Sequence, residues 1–525
     1  MIELESYLQG KWVRGAGKAA TLVNPATEEA VARTSTEGLD FEGALGFARK
    51  VGGPQLRAMS FAARGEMLRA MSRAIHAHRD ELIGLAVQNG GNTRGDAKFD
   101  IDGASLTLAA YADLAPTLGE GPALVDGDDV LLGRSARLAG RHVFVPRHGV
   151  AVHINAFNFP AWGTAEKAAV ALLAGMPVVS KPATSTAVVA WRLTQILVAT
   201  GALPEGAFQL VTGSAGNLLD HLTGQDVLAF TGGSATAVTL RGGSAVVAKS
   251  VRINVEADSL NAAVLGPDVE DGSDVMNLFL ADVARDVTQK AGQKCTAIRR
   301  VYVPKNRHAS VVEQLKERLL AAKVGDPSRD DVTMGPVATA TQLRDVRAGL
   351  DALGKHGRFA LGGGERGTVL GPDGKGFFVA PSLLVCDAPD AGDAIHNHEV
   401  FGPSVTVMPH DGSADDAARL VAAGGGGLVS SVYSDDKEFV RGAVLGVAPF
   451  HGRVTVGSSK IAGQAIPPGT VMATLVHGGP GRAGGGEELG GARGLAFYMQ
   501  RTALQGDRAL LDVIAKPAKK TEPAT

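Results

Sequence analysis

Two cysteines occur in 525 residues, and one of them stands in QKAGQKCTAIRR, residues 289–300. A cysteine attacks as the thiolate, which needs a nearby positive charge, a helix N-terminus or a base to form at neutral pH. Lys294, Arg299 and Arg300 lie close to Cys295 in sequence, while Gly292 and Gln293 permit a sharp turn and a close backbone approach. By residue type alone a free cysteine is more often a small buried hydrophobe. Polar and charged neighbours on both sides weigh toward a working thiol, whereas Cys386, closing the apolar run PSLLVC, fits the buried alternative. Glu256 ends the run VRINVE, where it is either a surface or ion-paired carboxylate or, beside a reactive thiol, a general base. His396 and His398 of HNHE alternate along an extended segment and so face opposite ways; no zinc-type spacing is present and no metal is expected. Neither a Walker lysine loop nor a G-x-S-x-G elbow occurs.

These residues must be carried by elements. From Phe61 to Leu114 apolar residues recur at spacings of three and four, which predicts helices able to cover a sheet. VLLGRSARLAGRHVFV, from Val130 to Val145, reads as a β-ribbon, a form that often pairs with a neighbouring subunit. Next, strand and helix alternate: GVAVHIN, AWGTAEKAAVALLAG, PVVSKP, STAVVAWRLTQILVATG, AFQLVTG, AGNLLDHLTG, VLAFTGG and ATAVTLRGG. That alternation predicts a parallel, doubly wound α/β sheet with a ligand at the carboxyl ends of its strands. The loops there carry Phe157, Lys181, Thr184, Ser185, Gly213, Gly232, Gly233 and Ser234, the expected cofactor contacts. VRINVEADSLNAAVLGPD adds two strands around a turn, and a second α/β pattern follows a junction placed near Gly266 to Gly272. The tail PGRAGGGEELGGARGLAFYMQ is glycine-rich, yet its embedded apolar residues predict an ordered segment adding a strand to a sheet edge.

Length implies two or three domains. With 52 Lys and Arg against 54 Asp and Glu, the net charge of −2 leaves no footprint for nucleic acid or an anionic membrane. No apolar run reaches the ~20 residues of a membrane span, and MIELESYLQGKW is not a secretory signal. Two cysteines are too few for a disulfide framework and favour a reducing cytoplasm.

G-Q-x-C with an arginine five residues after the cysteine resembles the nucleophile loop of the aldehyde dehydrogenase superfamily. NFP at Asn158, KPA at Lys181, FTGGS at Phe230, Glu256, GDP at Gly325, GP at Gly335 and EVFGP at Glu399 follow in the family's order, so the resemblance covers nearly the whole chain. It implies a Rossmann-like cofactor domain at 1–129 and 150–266, a second α/β catalytic domain at 267–475, and a small β oligomerisation element formed by 130–149 and 476–525, acting in a homodimer. It implies roles as well: Cys295 forms a thiohemiacetal and then a thioester, and Asn158 with the Cys295 N–H holds the oxyanion. Glu256, with a carboxyl pKa raised in a partly apolar pocket, activates the hydrolytic water, and Glu399 and Phe401 steady the nicotinamide and its ribose.

After Glu256 the family usually continues Leu-Gly-Gly, and this chain reads Ala-Asp-Ser-Leu-Asn. EADSLN, NAFNFPAWG, HNHEVFGP and HGGPGRAGGGEELGG resemble a branch acting on CoA-linked semialdehydes, which implies a substrate such as 3,4-dehydroadipyl-CoA semialdehyde. Where NAD-preferring relatives carry an acid three places after the KPA lysine, this chain has Thr184, so NADP is expected over NAD. Thr184 or Ser185 also suits a helix N-cap. Oxidation of another aldehyde, thioester transfer to CoA in place of water, and a catalytically silent binding protein are the alternatives; Glu256 speaks against transfer to CoA, and the set of Asn158, Glu256 and Cys295 against silence.

Overall fold

A computed structural model describes residues 1–371, 374–389 and 393–514. Its centre is a seven-stranded sheet in which Arg252–Glu256, Val227–Thr231, Ala151–Ile154, Val178–Lys181 and Phe208–Leu210 lie side by side and parallel. The chain starts in the middle, at Ala151–Ile154, and winds outward both ways, as the strand–helix alternation predicts. An N-terminal hairpin, Ser6–Leu8 and Lys11–Val13, extends one edge antiparallel to the rest. Helices Phe61–Ala77, Arg79–Gly90 and Arg94–Leu114 form the expected helical run, with Ser60 and Thr93 accepting bonds from backbone N–H groups to cap two of them. The first and third pack with Trp162–Ala174, a helix buried at nearly every position, in the largest apolar core.

One expected helix is reduced. AGNLLDHLTG forms a single 3-10 turn at Leu218–His221, too short for an amphipathic face. Thr184–Thr186 is likewise a 3-10 turn, and neither Thr184 nor Ser185 caps the next helix: Thr186 stands at the cap, its hydroxyl donating instead to the Phe157 carbonyl at 2.8 Å.

A second seven-stranded sheet runs Arg358–Leu361, Ser382–Val385, Ser404–His410, Arg300–Pro304, Ala262–Leu265, Gly427–Tyr433 and His451–Gly457, with two further apolar cores on its faces. The two strands of VRINVEADSLNAAVL do not pair with each other. Arg252–Glu256 edges the first sheet and Ala262–Leu265 sits inside the second, so the chain crosses between sheets at Ala257–Asn261, ahead of the junction expected near Gly266.

Leu124–Leu131, Leu138–Pro146 and Met499–Asp507 make a separate three-stranded antiparallel sheet, the tail supplying an edge strand. Earlier in the tail, Val476–Gly479 and Gly486–Leu489 form a hairpin that lies against Arg252–Glu256 and not in the ribbon. Its sequence is glycine-rich because its backbone is in close contact with both sheets: a Cβ on Gly486 would lie 2.5 Å from the Val255 carbonyl oxygen and one on Gly479 2.2 Å from that of Gly427.

Candidate active site

Cys295 is delivered by a strained turn. Helix Asp274–Thr288 ends in three successive residues at positive φ: Lys290 at 54°, Ala291 at 51° and Gly292 at 69°. A left-handed residue with a side chain costs roughly 1–2 kcal/mol, and such strain persists only where its surroundings impose it. Here Arg299 imposes it by donating to the carbonyls of Gly292, Lys294 and Gly402 at 2.8–3.2 Å. A Cβ on Gly292 would meet the Gly402 carbonyl oxygen at 2.1 Å, which explains the glycine. From the crossover, Asn261 donates to the carbonyls of Cys295 and Ala297, both at 2.8 Å. Asn261, two residues beyond the Ala257–Ser259 departure from the family pattern, therefore holds the nucleophile's loop.

Glu256 ends its strand, buried, facing Cys295. His477 Nε2 stands 3.2 Å from Glu256 Oε2, and the Thr231 hydroxyl donates to the same oxygen at 3.5 Å. Oε1 is buried with no hydrogen-bond partner among the described residues, an arrangement that costs about 1–3 kcal/mol. A carboxylate oxygen of Glu256, the Cys295 sulfur and a ring nitrogen of His477 lie within 4.8 Å of one another. Behind them Lys167 pairs with Glu488 at 3.0 Å and Glu166 at 3.2 Å, and Asn254 steadies Glu488 at 3.0 Å. Asn158 donates one Nδ2 hydrogen to the Gln293 carbonyl at 3.0 Å, which fixes the amide beside the thiol and leaves it a second hydrogen to donate.

The charges differ from expectation in two ways. Burial pushes the Glu256 carboxyl up, but the charges of His477 and Lys167 outweigh it and hold the group down to about 2; it is ionised at neutral pH, where a raised value was expected. Cys295 is pushed well up, first by burial and then by the Glu256 charge, so it rests as a thiol. The basic residues near it in sequence do not activate it: Lys294 binds Asp286 and Gln289 at 2.5 and 2.8 Å, and Arg300 points away to Tyr302, His396 and the carbonyls of Leu260 and Val421. His396 is further engaged by the Pro389 carbonyl at 2.5 Å, and Cys386 is buried at its strand end.

Three spaces meet at this point. A cleft of about 780 Å³ reaches Cys295 and Glu256 from one side, lined by Phe157, Asn158, Lys181, Gly232, Gly233, Ser234, Glu399 and Phe401. Thr184, Ser185 and Gly213 are not in its lining; Gly213 is buried, where a Cβ would lie 2.8 Å from Thr36 Cγ2. On the other side a tight cavity of about 40 Å³ holds Cys295, Glu256, His477, Phe99, Trp162 and Val471. Phe99, Trp162 and Val471 also line a mainly apolar groove of about 440 Å³ that leads outward past Lys98.

Within the large cleft Phe157 and Phe401 meet edge to face at 5.8 Å, and Arg299 lies 5.4 Å over Phe401. Burial pushes Glu399 up to about 7 against the pull of Arg299. Lys181 is pushed down by burial alone. Ser234 starts a helix, and Asp258 accepts from its N–H at 3.0 Å and its hydroxyl at 2.6 Å. A cleft lined by a buried lysine, the Gly232–Gly233 turn and an aromatic pair offers a cation for phosphate, room for close backbone approach and a face for a ring, as a dinucleotide requires.

His477, Lys167, Glu488 and Asn261 are the site residues that sequence reasoning missed. His477 lies in HGGPGRAGGGEELGG and Asn261 in EADSLN, but nothing in either stretch says that the first meets Glu256 or that the second bonds the carbonyl of Cys295.

A family model described as "Aldehyde dehydrogenase family" matches residues 12–504. The chain is 42% identical to the 3,4-dehydroadipyl-CoA semialdehyde dehydrogenase of Aromatoleum evansii over 91% of its own length and 93% of that protein. Identity to protein MaoC of Klebsiella aerogenes is 39%, over 35% of this chain and 53% of that one. Among solved structures, lactaldehyde dehydrogenase from Escherichia coli superposes with a TM-score of 0.83 at 23% identity, covering 96% of this chain and 99% of that one. Betaine aldehyde dehydrogenase from Staphylococcus aureus in complex with NAD+ gives 0.82 at 22%, covering 97% and 98%.

Proposed function

The chain belongs to the aldehyde dehydrogenase family, whose enzymes use NAD or NADP, and from that premise we propose that it oxidises a CoA-linked semialdehyde of the 3,4-dehydroadipyl-CoA type to the carboxylic acid with NADP. The observation that carries the reading is the convergence of Cys295, Glu256 and Asn158 where the large cleft meets the tight cavity.

The Cys295 thiol releases its proton to solvent through the open cleft as sulfur bonds to the aldehyde carbon, so that Glu256 stays unprotonated for the later step. The second Nδ2 hydrogen of Asn158 and the Cys295 N–H would hold the oxyanion, each such donor contributing roughly 3 kcal/mol. NADP supplies one thing when bound, an acceptor for the hydride. Lys181, Ser234 and the Phe157–Phe401 pair would hold it, with Glu399 toward the ribose. Glu256 then takes a proton from water, the water oxygen bonds to the thioester carbon, and the C–S bond breaks to return the thiol and release the acid.

Support for NADP comes from Lys181, which lines the cleft as a cation that no carboxylate pulls upward and so can meet a 2′-phosphate. A CoA-linked tail is supported by the groove past Phe99 and Trp162, whose mainly apolar lining suits an acyl and pantetheine arm, with Lys98 and Asp102 as its charged lining residues. The three-stranded ribbon, with Val125, Val130, Leu131 and Leu138 exposed, supports a homodimer. No helix among the described residues is long and apolar enough to cross a membrane, and we read the site of action as the cytoplasm.

Reduction of NADP and NAD, measured with free and CoA-linked semialdehydes of matched chain length, tests the proposal. The CoA-linked aldehyde with NADP is expected to be fastest, and Cys295→Ala to abolish reduction. Equal rates with and without CoA would remove the substrate reading, and equal rates with the two cofactors would remove NADP preference.

A further inference from the structure

One histidine in the tail meets the base, and nothing said so far gives it a task. Hairpin Val476–Gly479 and Gly486–Leu489 pairs His477 directly opposite Glu488. One residue of this pair reaches Glu256 and the other reaches Lys167. His477 and Glu256 are both almost fully buried, so the contact is a designed one and not a surface ion pair.

We propose that His477 is a positioning residue for the base, its Nε2–H holding Glu256 Oε2 so that Oε1 alone is presented to the hydrolytic water. The inference rests on the reading that Glu256 activates water in thioester hydrolysis. Geometry carries it first. With Oε2 engaged by His477 and Thr231, the partnerless Oε1 is the acceptor left for a proton, and its cost is explained if the reaction uses it.

Electrostatics points the same way. Glu256 faces His477, Lys167 and the Cys295 thiol; His477 faces Glu256 and Glu166 and is opposed by Arg453. Burial pushes His477 down, but Glu256 outweighs it and raises the imidazole above its ordinary value, which favours the imidazolium beside the carboxylate. If His477 is removed, Lys167 remains as a cation, but it is shared with Glu488 and Glu166. Burial then gains on the remaining charge, Glu256 protonates at higher pH, and Oε1 no longer accepts.

The acyl group of para-nitrophenyl acetate provides a test without cofactor or CoA. The thiol displaces para-nitrophenol to give acetyl-Cys295, and water then releases acetate and the thiol. The burst of nitrophenol reads the first step, and the steady rate reads the second. In His477→Phe the burst is expected to persist while hydrolysis at neutral pH falls by roughly tenfold or more, part of the 10²–10⁴-fold that a positioned base contributes. The loss should recover at alkaline pH as a limb absent from the wild type enters the measured range. His477→Gln, which keeps an N–H donor without the charge, should restore part of the rate and keep the limb, and it carries the test if the Phe variant does not fold. Wild-type hydrolysis and pH profile in both variants, alongside blocked hydrolysis in Glu256→Gln, would overturn the inference, as would loss of burst and hydrolysis together. Unchanged hydrolysis in Glu256→Gln would instead remove the base reading itself.

Discussion

Cys295 rests protonated, and that sets how it should react with reagents other than substrate. A thiol pushed above its usual range by burial and by the Glu256 charge exposes little thiolate at neutral pH. Alkylation of Cys295 by iodoacetamide is therefore expected to be slow near neutrality and to accelerate through the alkaline range, followed by mass spectrometry of the peptide. Glu256→Gln removes a negative charge beside the sulfur and should speed alkylation at fixed pH; an equal or slower rate would contradict the assignment. Chain neighbours suggested the opposite, because proximity along a sequence carries no direction: Lys294 is spent on Asp286 and Arg300 faces the far side of its strand. Cys295, Glu256 and Asn158 were legible because each sits in an ordered motif. His477 was not, since a histidine among glycines shows nothing of the carboxylate it meets across the chain.

At the scale of elements, the loop that aims the thiol is held in a conformation it would not choose. Gly292→Ala would place a methyl group 2.1 Å from the Gly402 carbonyl oxygen and add about 1–2 kcal/mol for left-handed backbone. The variant is expected to melt lower and to lose the acylation burst more than its loss of stability explains. Wild-type melting and burst would show that the approach to Gly402 is unimportant. The period of alternating strands and helices announced the parallel sheet well, and the tail's apolar residues announced its edge strand. Two features were hidden. The crossover at Ala257–Asn261 reads like a hairpin turn, and only pairing with separate partners splits its strands. The hairpin carrying His477 has the composition of a linker, because contacts between backbones favour glycine as strongly as flexibility does.

Across the whole molecule, Glu256 ends a strand of the first sheet and Asn158 stands in the loop after another, while Cys295 hangs from an element of the second, and each sheet has apolar cores of its own. The crossover residue Asn261 and the Arg299 clamp tie the thiol's loop to the second unit, and Asn158 reaches it from the first through the Gln293 carbonyl. Nucleophile and base thus meet only while the two units are docked, so their encounter is a gauge of that docking. In a urea titration the nitrophenol burst is expected to vanish at a lower concentration than the helical signal, which follows the cores. Coincident loss of both would mean that the sheets come apart only as they melt.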